Sequence, residues 1–213
     1  PFQDGGEADV YEHLKRAMQY MVNDAGAHGI PRIRYADWND ALNIDDPEAE
    51  SVFMAMAMAW ACKELASLSR FLGDNAYAQQ LLDQRAALVE TINREAWDGE
   101  WYLRAFSKFG PVGSKSSPTG GSIYINPQVW SILADVVPED RLDAVLTAID
   151  RMDKKYGIQL CEPAYPHYDR HVGRMSGMLP GLFENGGVYN HCNAFKIMAD
   201  CKLGRAEQAL STL

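Results

Sequence analysis

Val52-Phe53-Met54-Ala55-Met56-Ala57-Met58-Ala59-Trp60-Ala61-Cys62 is the most apolar run in the chain, and it carries no charge. A membrane-spanning helix needs about 20 apolar residues, so a run this short predicts a helix buried in a core instead. Ala, Met and Leu continue around it over residues 48–72, and Gly73 supplies the stop. Working upstream, Val10, Leu14, Met18, Met21 and Val22 recur at three- and four-residue steps, the stripe of an amphipathic helix over residues 8–23. Gly26, Gly29 and Pro31 end that helix and open a loop that lasts to Pro47.

Downstream, a third helix is expected over residues 76–97, closed by the Asp98-Gly99 turn. Residues 100–126 alternate aromatics with Gly, Ser and Pro and read as short strands or loop. A fourth helix starts near Pro127, and a fifth is expected over residues 139–156. Pro163, Pro166 and Pro180, with several glycines, forbid a long helix between 157 and 187. A sixth helix over residues 189–203 and a last one from Arg205 complete the reading. The class is all-α. Helices alternating with long, chemically loaded loops suit a helical barrel or solenoid whose loops carry the chemistry.

The chain has 213 residues, 47% of them hydrophobic and 23% charged, which is ordinary for a globular fold. Twenty Lys and Arg face 29 Asp and Glu, a net charge of −9. That balance, without a basic cluster in the sequence, argues against nucleic acid and against an anionic membrane surface as partners. Cys62, Cys161, Cys192 and Cys201 show neither CxxC nor metal-finger spacing. Reduced, buried thiols are expected, and with no basic-then-apolar signal segment after Pro1 they lean towards a cytoplasmic location.

Three segments carry chemistry. In Asp37-Trp38-Asn39-Asp40, two carboxylates flank an indole and an amide just before a helix. An indole packs on the C–H face of a sugar while polar neighbours bind its hydroxyls. A carboxyl partly desolvated beside an aromatic can stay protonated as a general acid. The same residues also suit a helix-capping loop. Trp97 to Phe106 holds four large aromatics around Arg104, either lining a saccharide cleft or closing a core beneath a loop. In Glu184-Asn185-Gly186-Gly187-Val188-Tyr189-Asn190-His191, the glycines allow close backbone approach at a helix start, where free N–H groups attract anions. His191 adds a donor there, or is an ordinary surface histidine. His13, His28, His167 and His171 show no ligand spacing, and no metal or organic cofactor is indicated.

Taken together, Asp37-Trp38-Asn39-Asp40, Trp97-Asp98-Gly99-x-Trp101-Tyr102-x-Arg104, Asn126-Pro127-Gln128-x-Trp130 and Glu184-Asn185-Gly186-Gly187-x-x-Asn190-His191 resemble glycoside hydrolase family 94 in kind and order. That family includes the cellobiose and chitobiose phosphorylases. The likeness runs from Asp4-Gly5-Gly6 through Val10-Tyr11-Glu12-His13 to Leu203-Gly204-Arg205. It implies a catalytic domain of (α/α)6-barrel type with long active-site loops. About twelve helices complete such a barrel, so the six or seven read here imply one partial barrel domain over residues 1–213. The remaining helices and the β-sandwich of whole members are absent from this stretch.

By position in the motifs, the resemblance implies Asp40 as general acid and Trp38 as lining for the sugar whose bond breaks. It implies Glu184 as a sugar contact near that bond, Gln128 as a further sugar contact and His191 as a phosphate ligand. Trp101 and Arg104 are left as architecture. The reaction implied is inverting phosphorolysis of a β-linked, cellobiose-like disaccharide to an α-sugar 1-phosphate and a free sugar. Phosphate is then a co-substrate that needs no general base, and a homodimer is the oligomer common in the family. Two alternatives stand beside it: an inverting hydrolase using Asp40 and Glu184, or a barrel fragment without turnover. The segment Gly177-Met178-Leu179-Pro180-Gly181-Leu182-Phe183 departs from the form found in cellobiose phosphorylases, which leaves the leaving sugar open.

Overall fold

A computed structural model describes residues 6–213; Asp4 and Gly5 of the first motif lie outside the described residues. Seven α-helices form among them: α1 (Val10–Asn23), α2 (Val52–Phe71), α3 (Asn75–Glu95), α4 (Ile125–Leu133), α5 (Glu139–Met152), α6 (Asn190–Lys202) and α7 (Ala206–Thr212). They hold about half of the chain. The first three start on side-chain caps: Asp9 accepts from the Glu12 N–H, Ser51 from Met54 and Asp74 from Tyr77. Gly73, at φ 85°, turns α2 into α3.

The helices pack as a row of pairs. α2 lies against α4 and α4 against α6, while α3, α5 and α7 each pack on the helix before them. α4 is the most enclosed, with Ile125 to Val129, Ser131 and Ile132 all buried. By length and composition alone α2 would also serve as a membrane span, contrary to the expectation from its apolar core run. Its packing against α1, α3 and α4 accounts for the apolarity: Val52, Ala55, Met56, Ala59 and Cys62 are all fully enclosed.

Two predicted boundaries shift, each for a physical reason. Residues 50 and 51 are not helical, because β1 (Glu50–Ser51) pairs with β2 (Ala105–Ser107), which pairs in turn with β3 (Gly110–Val112). The short strands expected between 100 and 126 are β2, β3 and β4 (Ile123–Tyr124), the last of which pairs with β7 (Cys161–Glu162). The fifth helix stops at Met152 rather than 156, because β5 (Asp153–Lys154) and β6 (Gly157–Ile158) close a hairpin. That turn needs Gly157, at φ 120° with Asn193 and Val188 pressed against the place of a side chain.

A second, smaller core brings the loops together. Ile33, Ala41, Leu42 and Ile44 from the α1–α2 loop pack with Ala105 and Val112 of the hairpin and with Tyr165, Val172 and Met175 from the loop before α6. The Met175 N–H donates to the Ala41 carbonyl at 2.8 Å, and Tyr124 and Tyr165 share a hydroxyl bond of 2.8 Å. All four cysteines are free. Cys62, Cys161 and Cys192 are buried, and burial pushes their thiols up to about 11, 12 and 12. Cys201 is exposed, unlike the expectation of four enclosed thiols.

Candidate active site

The centre of the loop end is a buried polar knot around Arg104. Its guanidinium and the Asp37 carboxylate are both fully buried, with Nη2 donating to Asp37 Oδ1 at 2.6 Å and to Asn39 Oδ1 at 2.7 Å. Nη1 donates to Ser51 Oγ at 3.3 Å, and that hydroxyl in turn donates to Asp37 Oδ2 at 2.6 Å. Ser51 therefore caps α2 and closes the knot with one oxygen. Burial works to raise the Asp37 carboxyl, but Arg104 and then Ser51 outweigh it and hold it below its ordinary range. In the sequence Arg104 reads as architecture, and nothing there marks Ser51. The signal available was a lone Arg inside an aromatic segment, which must find a carboxylate when buried; nothing in the sequence said which one.

Asn39 carries the knot across to the second loop. Its Nδ2 and the Ala41 N–H both donate to Glu184 Oε2 at 3.2 Å, linking residues 145 and 143 positions apart. Glu184 is only 7% exposed. Burial pushes its carboxyl above the ordinary value; the two donors oppose the shift, and the neighbouring charge of Asp40 adds to it. The carboxyl that burial leaves raised is thus Glu184, while Asp40 is exposed beside it.

Around these carboxyls stands an aromatic group. The half-buried Trp38 ring meets Tyr189 at 5.7 Å, His191 at 5.6 Å and Phe195 at 5.8 Å between centroids. His191 is exposed in the first turn of α6, whose N-terminus has no side-chain cap. The glycine pair beneath it is a packing device. At Gly186, φ 74°, a Cβ would lie 2.8 Å from that of Ala164, and at Gly187 it would meet the Phe183 carbonyl at 2.5 Å. Asn185 pins the same loop: its Nδ2 donates to the carbonyls of Tyr165 and Met178, and its Oδ1 accepts from the Tyr165 N–H.

The fold therefore gathers Trp38, Asp40, Glu184 and His191 from the loop before α2 and from the segment that runs into α6, far apart in sequence. Gln128 does not join them. It is fully buried, its Oε1 accepts from the Tyr102 N–H at 2.9 Å, and its Nε2 donates to the carbonyls of Tyr102 and Tyr124. That geometry makes it a clamp between α4 and the aromatic segment and removes it from the sugar contacts. Trp101 and Tyr102 are likewise buried and close a core rather than line a cleft.

The raised Glu184 carboxyl has a consequence for stability. Below its ordinary value of 4.5 the group is protonated whether folded or unfolded. As pH rises from there towards the folded pKa, the unfolded chain releases its proton first, so ionisation favours unfolding. The Glu184→Gln variant keeps an acceptor for Asn39 and Ala41 without that cost. Its Tm should match the parent's near pH 4 and exceed it at pH 7; a Tm below the parent's at pH 7 would show that the carboxylate is stabilising.

Comparison with known proteins is consistent across the chain. Residues 1–213 match the family described as Glycosyl hydrolase 94 superfamily, catalytic domain. A solabiose phosphorylase of Paenibacillus borealis is 36% identical over all of this chain, which spans 28% of that relative. A 3-O-beta-D-glucopyranosyl-beta-D-glucuronide phosphorylase of the same organism is 36% identical over 97% of the chain, spanning 27% of the relative. A GH78 family rhamnosidase of Bacillus sp. GL1 matches in fold with a TM-score of 0.65 over 94% of this chain and 18% of that structure, at 16% identity. With a family match over its whole length and disaccharide phosphorylases as its relatives, the chain belongs to the glycosyl hydrolase 94 superfamily, within the catalytic domain.

Proposed function

We propose that this chain is the acid-bearing part of an (α/α)6 barrel that carries out inverting phosphorolysis of a β-linked disaccharide. Asp40 is the general acid that protonates the glycosidic oxygen, Trp38 stacks on the sugar whose bond breaks, and Glu184 holds hydroxyls of that sugar. His191 and the uncapped start of α6 hold phosphate, which attacks the anomeric carbon from the opposite face. The observation that carries the reading is that the bonds from Asn39 and Ala41 to Glu184, and the contact of the Trp38 ring with His191, bring the Asp37–Asp40 and Glu184–His191 segments together.

The physics suits that division of labour. Phosphate is already an anionic nucleophile, so the site needs one proton donor and a cradle of N–H character rather than two catalytic carboxyls. Free N–H groups at the start of α6 carry partial positive charge and attract an oxyanion. Holding the nucleophile against the bound sugar removes most of the entropic cost of bringing the two together. The disaccharide phosphorylases among its relatives support the reaction class; the sugars they act on differ, so the donor and leaving sugars of this protein are left to experiment.

The test is release of sugar 1-phosphate by the complete polypeptide from cellobiose, chitobiose and related β-disaccharides, with and without phosphate. Product that requires phosphate supports the reading, and sugar release without it would replace phosphorolysis by hydrolysis. In the same assay His191→Ala should raise KM for phosphate by about tenfold, as expected when one charge-assisted contact of about 1.4 kcal/mol is lost. A change confined to the disaccharide KM would move His191 out of the phosphate site.

A further inference from the structure

The start of α6 is anchored by a part of the fold that the sugar platform does not use. Among the described residues, the Cys192 and Asn193 N–H groups are both spent on the Tyr189 carbonyl, at 3.0 and 3.2 Å. The N–H groups left to an anion at this uncapped end are those of Asn190 and His191. The first turn closes on the Tyr189 carbonyl, so whatever fixes that carbonyl also aims the two free N–H groups.

Asn193 fixes it. Its Nδ2 donates back to the Tyr189 carbonyl at 2.9 Å, and its Oδ1 accepts from the Ile158 N–H of β6 at 3.1 Å. One half-buried amide thus ties the first turn of α6 to the β5–β6 hairpin. The residues after Ile158 hold the approach to the helix in the same way. Gln159 Nε2 donates to the Gly186 carbonyl and the Leu160 N–H to that of Gly187, each at 3.0 Å. The contact is tight, since a Cβ on Gly157 would lie 2.6 Å from Asn193 Oδ1. Further along α6, Lys196 Nζ reaches Asp153 of β5 at 3.4 Å, a second tie to the same hairpin about one turn away.

We infer that Asn193 is a positioning residue for phosphate, which aims the Asn190 and His191 N–H groups by locking the Tyr189 carbonyl to β6. The inference rests on the reading that phosphate binds at the start of α6. Both polar atoms of the Asn193 side chain have backbone partners, so it acts through the turn and not by touching the anion. Lys196 supplies the contrast. Both side chains tie α6 to the hairpin, but only Asn193 bonds the carbonyl on which the first turn closes.

The experiment measures the phosphate and disaccharide KM values of the complete polypeptide, with the Asn193→Ala, Gly157→Ala and Lys196→Met variants beside the parent. Asn193→Ala should raise KM for phosphate about three- to tenfold and change the disaccharide KM by less than about twofold. Gly157→Ala should give the same split, because it keeps the amide but pushes its oxygen aside. Lys196→Met should lower Tm and leave both KM values near the parent's. An unchanged phosphate KM in Asn193→Ala and Gly157→Ala, or an equal rise in Lys196→Met, would overturn the inference and leave phosphorolysis standing. A parent that releases sugar without phosphate would overturn both.

Discussion

Phosphorolysis by the Asp40→Asn variant is expected to fall by about 10²–10⁴-fold, the usual contribution of a positioned general acid. Asn nearly preserves the shape of Asp but has no proton of adequate acidity to give to a departing sugar oxygen. Asp40 is exposed and takes no part in the Arg104 knot, so the fold and the sugar platform at Trp38 should survive the exchange. The loss should therefore appear in kcat and in kcat/KM together, the pattern of an interaction made only in the transition state. It should also depend on the leaving group. A nitrophenol departs without help, so a nitrophenyl β-glycoside should lose far less than a disaccharide. Equal losses on both substrates would show that the exchange had damaged binding, and turnover at the parent rate would remove Asp40 from the mechanism.

The largest stability effect is expected at Arg104. Its exchange for Ala leaves the Asp37 carboxylate buried without its partner, and breaking a buried ion pair from one side costs about 3–5 kcal/mol. For a chain of this size that corresponds to a fall in Tm of about 6–20 °C. The sign of the pH dependence follows from Asp37. Because Arg104 holds its folded pKa below the ordinary 3.8, the pair stabilises the fold fully above that value, and the contribution is lost as pH falls through the folded pKa. Removing Arg104 should flatten this acid dependence. The double variant Arg104→Met/Asp37→Leu should recover much of the loss, since two apolar side chains need no partners. A double variant no more stable than Arg104→Ala would place the damage in Ser51 and Asn39 instead, whose side chains share the same guanidinium.

Helix positions were legible in the sequence wherever the apolar period was long. α1, α2, α3 and α6 start and stop within a few residues of the expected places because their caps and glycines are local features. What local reading missed was set by distant partners. Glu50 and Ser51 belong to a strand only because Phe106 and Ala105 lie opposite them. The site divides in the same way. Trp38, Asp40, Glu184 and His191 stood out through motif chemistry, whereas Arg104 and Ser51 take their meaning from bonds that span 67 and 14 residues to Asp37. Gln128 shows the reverse error: a side chain able to bind a sugar hydroxyl is spent entirely on backbone groups, as its burial requires.

The bonds from Asn39 and Ala41 to Glu184 also impose an order in time. A ribosome releases Asp37 first and Arg104 later, and Glu184 follows about 80 residues after that. At about 5–20 residues per second the gap between Arg104 and Glu184 is about 4–16 s. Throughout that interval a nascent chain already holds both halves of the Asp37–Arg104 pair, while the amide of Asn39 and the N–H of Ala41 await their acceptor. The carboxyl that joins the two loops arrives late, and Tyr189, His191 and Phe195 follow it, so the proposed substrate platform is complete only when translation has passed the first turns of α6.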